Sequence, residues 1–355
     1  MLQWPIAIPS PLVEIFLASH NNLSGKIPQT LFNLNLLGAL DLSYNNLSGS
    51  IPLCLGNSTD SLSYLKLRQN NLHGRLPLVF TKESSLKMLD LGQNKFAGQL
   101  PRSLKNCTML TYIDVSSNQI YDSYPFWLGN LQYLKVLILR FNRFHGIIKR
   151  DSKMDYNFTS LQIIDLSHNH FNGEIPSNYF KSLKSIISLG MQRLTYMEED
   201  KHLSIESAVL YSLNLSNNVL NGIIPPPLGN ISMIESFDLS YNRLSGKIPL
   251  QLAKLSFLSS LDVSYNSLNG LIPKGPQFNT FGIRSFDGNW GLCGMPLLRK
   301  FDSSKISSRI AEVEDSVFGF GWRVVLVGHS FGFATGIWLG LASLHGNICQ
   351  NLLHK

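Results

Sequence analysis

LGALDLSYNNLSGSIP, residues 37–52, and IESFDLSYNRLSGKIP, residues 234–249, are two copies of one frame, LxxLxLxxNxLxGxIP. Its asparagine recurs at Asn21, Asn45, Asn70, Asn94, Asn118, Asn142, Asn169, Asn218, Asn242 and Asn266. The intervals are 24, 25, 24, 24, 24, 27, 49, 24 and 24 residues. A fixed period of this length marks a solenoid of stacked units, none of which can bury its own core. Leu40 and Leu42 have the two-residue alternation of a short strand and, with Leu37, are expected to point inward. Leu47 and Ile51 fill the next core layer. Gly49 permits a tight bend and Pro52 ends the strand. The asparagine amide is expected to bond backbone groups of adjacent coils that would otherwise be buried and unpaired.

Composition agrees with stacking. The chain has 355 residues, 44% hydrophobic and only 15% charged, with a net charge of +7. That excludes a charged disordered chain. No run of basic residues supports nucleic-acid binding. Four cysteines exclude a disulfide-dense scaffold. Cys54 and Cys107 fall two coils apart, roughly 10 Å at strand spacing, too far for a disulfide, and read as apolar filler. No Cys/His spacing suggests zinc, and no cofactor is expected.

Two features break the period. The interval of 49 holds one repeat plus extra residues, near 178–209, containing YMEEDKH. Trp322–Leu344 is 23 residues with only Arg323 and His329 ionisable, long enough for a membrane-spanning helix of about 34 Å. Gly328, Gly332, Gly336 and Gly340 would share one face of that helix and allow close packing of another. VLVGHSFG, 325–332, fits a hydrolase nucleophile elbow at Ser330, but no acid follows it, so the chain is read as a non-enzyme.

The LxGxIP ending is that of the plant-type leucine-rich repeat. SIPLCLGN (50–57), LPRSLKNCTML (100–110), YPFWLGNLQYLKVLILRFNRFHG (124–146), LQIIDLSHNHFNGEIPSNYF (161–180), GPQFNTFGIRSFDGNWGLCGMPL (275–297) and EDSVFGFGWRVVLVG (314–328) together resemble the kinase-less plant receptor-like proteins of the Cf disease-resistance type. The resemblance implies an α/β repeat fold, a solenoid with a parallel β-sheet on its concave face, followed by a single transmembrane helix. Residues 1–12 read as the end of a truncated preceding repeat and 13–177 as repeats one to seven. A shortened island insertion (178–209), repeats eight to ten (210–273) and a C-terminal cap (274–301) follow. An acidic juxtamembrane segment (302–321), the helix (322–344) and a short cytoplasmic tail (345–355) complete the chain. Asp122 and Lys149 depart from the Gly and Pro of the frame. Cys293 meets Phe301 where the family has a second cysteine, so the cap is expected to be loosened. Without a signal peptide or N-terminal cap, the chain reads as an N-terminally truncated member.

The same resemblance implies a cell-surface receptor in plant defence or development. It would be single-pass at the plasma membrane, with extracellular repeats that bind a peptide or protein ligand. Signals would pass to adaptor and co-receptor kinases through the membrane helix and the last repeats, where Tyr241 and Tyr265 would meet a co-receptor. Sequons at Asn22, Asn46, Asn57, Asn106, Asn157, Asn214 and Asn230 favour that topology, although Lys305, Arg309 and Arg323 before the helix oppose it. Outward strand positions commonly read Asp, Ser, Tyr, as in Asp238, Ser240 and Tyr241. Repeats three and six differ, with Lys66, Arg68 and Gln69, then Ile138, Arg140 and Phe141. Aromatic and Arg side chains are the usual binding hot spots, so these six residues, with Arg193 and Tyr196 of the insertion, are the ligand-binding candidates. Two alternatives are a non-functional or decoy fragment of such a receptor, and a wall protein like the polygalacturonase inhibitors.

Overall fold

The computed structural model describes residues 6–57, 60–77, 80–82, 84–148, 158–176 and 211–297. Ten three-residue strands form one parallel sheet in chain order. They are Ile15–Leu17, Ala39–Asp41, Tyr64–Lys66, Met88–Asp90, Tyr112–Asp114, Val136–Ile138, Ile163–Asp165, Ser212–Asn214, Ser236–Asp238 and Ser260–Asp262. The register is that of the repeat: Leu40 faces Leu65, and Leu65 faces Leu89. The long interval leaves no gap, because Ile164 pairs with Leu213 as any neighbours do. The middle residue of each strand points inward, from Leu40 to Leu261, and joins one continuous core with Leu42, Leu47 and Ile51 and their counterparts. Each such leucine contributes about 1.5–3 kcal/mol by leaving water.

The asparagines form the expected ladder. Asn70 accepts the Leu47 N–H at 3.0 Å and donates to the carbonyls of Leu42 (2.9 Å) and Leu67 (3.1 Å). One side chain thus satisfies backbone groups of two coils. Asn21, in the first coil, donates to Ala18 and Ser19 of its own coil and, among the described residues, to no other. An eleventh rung lies in the cap. Asn289 is fully buried, accepts from Leu268 and donates to Val263 and Phe286. The residue before each of the ten frame asparagines has a φ of 51–56°, although none is glycine. This left-handed step turns the chain out of the strand. Its cost, about 1–2 kcal/mol for an ordinary residue, is offset by the amide bonds that follow.

The frame predicted only a bend and a stop after the asparagine, but the chain there pairs again. Asn46–Gly49 and its equivalents build a five-stranded parallel sheet, Ser24–Lys26 to Gln119–Ile120. A six-stranded one runs from His145–Ile147 to Gly291–Cys293. The two are separate because of Asp122. Glycines at this place in the frame have φ of 75–88°. Asp122 does not, and its buried carboxylate instead accepts the Leu100 N–H (3.1 Å), the Ser123 N–H (2.8 Å) and Arg102 (3.0 Å). Pairing across the break shrinks to one bridge, Ser123 to His145.

The cap is packed and paired as far as residue 297. Phe278, Phe286 and Leu292 are buried, and Gly291–Cys293 pairs with Ser267–Leu271. The buried Cys293 thiol donates to the Gly270 carbonyl. A small apolar side chain with one weak donor is satisfied here without a disulfide. Among the described residues Cys54 and Cys107 form no disulfide; Cys54 donates to the Gln29 carbonyl and Cys107 is buried. Among the described residues no helix is long and apolar enough to cross a membrane. Residues 322–344, with their four glycines, lie outside the described residues.

Candidate functional site

The outward face of the ten-stranded sheet gathers six of the eight ligand-binding candidates. Parallel register stacks equivalent positions into columns. The third strand position reads Asp41, Lys66, Asp90, Asp114, Ile138, Asp165, Asn214, Asp238 and Asp262. Two residues on, the column reads Ser43, Arg68, Gly92, Ser116, Arg140, Ser167, Ser216, Ser240 and Ser264. Next come the left-handed residues, which include Tyr44, Gln69, Phe141, Tyr241 and Tyr265.

The serine column is not a surface. Ser240 is buried, as are Ser43, Ser167, Ser216 and Ser264. The carboxylate of Asp238 accepts the Ser240 N–H at 2.9 Å, and Asp165 accepts both the N–H and the hydroxyl of Ser167. In these repeats the Asp clasps the strand end and holds the Ser in, while Asp238 and Asp262 keep partial exposure, a local competition typical of these residue types.

Repeats three and six lack the clasp. Arg68 reaches across two coils, 2.7 Å from Asp114 Oδ2 and 3.6 Å from Asp90 Oδ1. It passes over Gly92, where a Cβ would lie 2.5 Å from its Nη1. Gly92 replaces the usual serine for that reason. Aligning the repeats column by column shows the exchange, so the signal was present in the sequence though only Arg68 was singled out. Burial, then the neighbouring Asp114 charge, pushes the Asp90 carboxyl up to about 6, against the Gly92 N–H and Arg68. Burial likewise raises Asp165 and Asp262. Lys66 stands 3.8 Å from Asp41.

Arg140 is freer. Its side chain is 44% exposed and its nearest carboxylate, Asp165, is 3.8 Å away. Its Nε is buried without a hydrogen-bond partner among the described residues. Phe141, 47% exposed, stacks on His168 with centroids 3.9 Å apart. Burial lowers the His168 pKa, so the stack is neutral near pH 7. Ile138 is half-buried rather than fully exposed, packed between the Asp114 and Asp165 strands. Arg140, Phe141 and His168 therefore offer a guanidinium beside an aromatic platform.

Tyr241 and Tyr265 form a second stack, centroids 4.3 Å apart, each nearly half exposed. Among the sequons, Asn22, Asn46 and Asn230 are exposed. The Asn106 amide already donates to Phe80, and Asn214 lies at the third position of its strand in the ten-stranded sheet. Asn57 lies at the end of the short helix Leu53–Asn57. Arg193, Tyr196 and Asn157 lie outside the described residues. No group of residues among those described could hold a metal.

The comparisons fit this geometry. A leucine-rich-repeat profile matches residues 60–120, and a second matches 37–58, 160–182, 209–231, 233–255 and 257–278. Receptor-like protein 32 of Arabidopsis thaliana is 36% identical over 242 residues, 62% of this chain and 27% of the relative. Receptor-like protein 54 of the same plant is 46% identical over 170 residues, 48% of this chain and 21% of the relative. The chain is a leucine-rich-repeat relative of the plant receptor-like proteins. It spans about a quarter of the length of those relatives. Among solved structures, this leucine-rich-repeat chain resembles the Arabidopsis receptor kinase HAESA, solved with the peptide hormone IDA and the co-receptor SERK1. The TM-score is 0.66 at 31% identity, over 82% of this chain and 44% of that one. It also resembles a plant ice-binding protein, TM-score 0.63 at 27% identity, over 81% of this chain and 83% of that one. One repeat scaffold thus serves unlike functions, and function must be argued from the face.

Proposed function

We propose that this chain is the binding part of a cell-surface receptor-like protein, which takes a peptide or protein ligand on the outward face of its ten-stranded sheet. The observation that carries this is the Arg140–Phe141–His168 group. A half-exposed guanidinium with an unmatched buried N–H stands beside an exposed aromatic stack in the middle of a broad sheet. Arg and aromatic side chains in such a setting dominate peptide and protein interfaces. The receptor-like relatives and the HAESA complex with a peptide hormone support the same class. In this reading Tyr241 and Tyr265 meet a co-receptor, residues 322–344 span the plasma membrane with the repeats outside, and partner kinases carry the signal in defence or development.

The test is capture of plant wall and secretome peptides by the full chain, compared with Arg140→Glu and Phe141→Ala. Retention by the wild type, reduced about tenfold or more in both variants, supports the reading. Equal retention by all three removes it.

A further inference from the structure

The sheet face is electrically polar along the stacking direction. In repeats three to six its outward positions carry Lys66, Arg68, Lys87, Lys135 and Arg140 against Asp90 and Asp114. Asp41 and Asp165 flank this group, each 3.8 Å from its cation. From repeat nine to the cap the signs reverse. Glu235, Asp238, Asp262 and Asp287 stand there, with Arg284 the one basic residue at that end of the face among the described residues. Among the described residues no cation forms an ion pair with any of these four carboxylates. Glu235 and Asp287 are exposed, and Asp238 and Asp262 are partly so. Ile138 and Phe141 lie beside Arg140 in repeat six, and the half-buried Ile163 and His168, which stacks on Phe141, lie one coil further towards the acidic end.

We infer that the face takes an extended peptide segment running across the strands, with its acidic end over repeats three to six and its basic end over Asp238, Asp262 and Asp287. This rests on the peptide-binding reading above and adds a polarity and a spacing to it. Coils stack roughly 4.8 Å apart, so Arg140 and Asp262, four coils apart, are separated by about 19 Å. An extended chain rises about 3.3 Å per residue, so about four to six neutral residues separate the ligand's acidic and basic groups. Apolar residues among them would rest on Ile138, Phe141 and Ile163. Complementary charge at both ends fixes the register and disfavours the reversed placement, in which like charges meet.

The probe is a fluorescent decapeptide: two Asp, six neutral residues including Leu-Phe-Leu, then two Lys, with neutral caps. A control has the same composition with acidic and basic residues alternating. Anisotropy with the full chain at low salt is expected to show the first probe binding at least tenfold more tightly than the control. That advantage should fall as salt is raised. A photo-crosslinker on the acidic end should label residues within 60–148, and one on the basic end residues within 233–297. Asp238→Lys with Asp262→Lys should weaken the first probe about tenfold and leave the control within twofold. Asp238→Asn with Asp262→Asn, the milder pair, should weaken it about threefold, and urea midpoints identify any variant that fails to fold. Labelling of the sheet without end preference, or in reverse, overturns the polarity while leaving a peptide-binding face. Labelling away from the sheet overturns both. Equal binding of the two probes, or no binding of either, overturns the polarity proposal.

Discussion

At the scale of single residues, the ladder asparagines and Arg68 show how a repeat is held and how it is varied. Asn94 accepts from Leu72 and donates to Leu67, Leu91 and Gly92. Asn94→Ala orphans buried backbone groups at about 1–3 kcal/mol each, so urea unfolding should show a loss of about 3 kcal/mol. Gly92→Ser places a side chain where Arg68 passes. It should break the Arg68–Asp114 pair while leaving the fold intact, and a crystal structure of the variant would show Arg68 turned out to solvent. Asp90 sets a pH dependence. Its folded pKa of about 6 exceeds the usual unfolded value near 3.9. The native state therefore holds the proton more tightly, and stability falls as pH rises from about 4 to 6, by an amount of order 2 kcal/mol. Urea midpoints between pH 4.5 and 7.5 should show this slope in the wild type and a flatter one in Asp90→Asn. The asparagine column was legible in the sequence because one residue type recurs at one spacing. The Arg68–Gly92–Asp114 arrangement leaves only a trace there, a glycine in the serine column, because it joins three repeats through a side chain whose reach no period reveals.

At the scale of elements, the inner face of each coil follows from its leucines, and the sheet register follows from the period. What the frame concealed was the second run of pairing after the asparagine. Ser24–Lys26 and its equivalents are short, carry no alternation of hydrophobic residues, and pair through backbone with a few side-chain bonds, such as Asn71 to Asn46. Except at Gly25 and Gly146, the glycine of these strands also lies beneath a side chain of the previous coil, as Gly222 lies beneath Glu174, 2.8 Å from where a Cβ would be. The one repeat without this glycine splits the sheet. Asp122→Ala removes the acceptor for the Leu100 N–H without restoring the left-handed step. It should cost about 2 kcal/mol in chemical denaturation, whereas Asp122→Asn, which keeps an acceptor oxygen, should cost less. Ser240 departs from the pattern in the same way: alternation places it outward, and the Asp238 clasp folds it in.

At the scale of the whole molecule, each coil touches its two neighbours and little else, so stability should be local and nearly additive. Hydrogen exchange on Asn94→Ala is expected to lose protection in repeats three to five and keep it in repeats nine and ten. Uniform loss would show one cooperative block. The cap extends this logic, since Asn289 and the Gly291–Cys293 strand close the last coil with the same bonds that join the others. The candidate face is likewise a property of the array. Arg140 and Asp262 lie far apart in sequence and share a surface only because the coils are stacked in register.

The seam between repeats seven and eight has a further consequence, for chain entropy. Elsewhere a ladder bond between coils joins residues such as Leu244 and Asn266, 22 apart. At the seam, Phe171 bonds Asn218 across 47 residues, and Asn218 bonds Leu166 across 52. Doubling a loop costs about 0.6 kcal/mol. Folding that spreads from coil to coil therefore crosses the seam with only a small delay. That position of the chain can carry extra sequence, whatever that sequence does, at almost no expense to the scaffold that displays it.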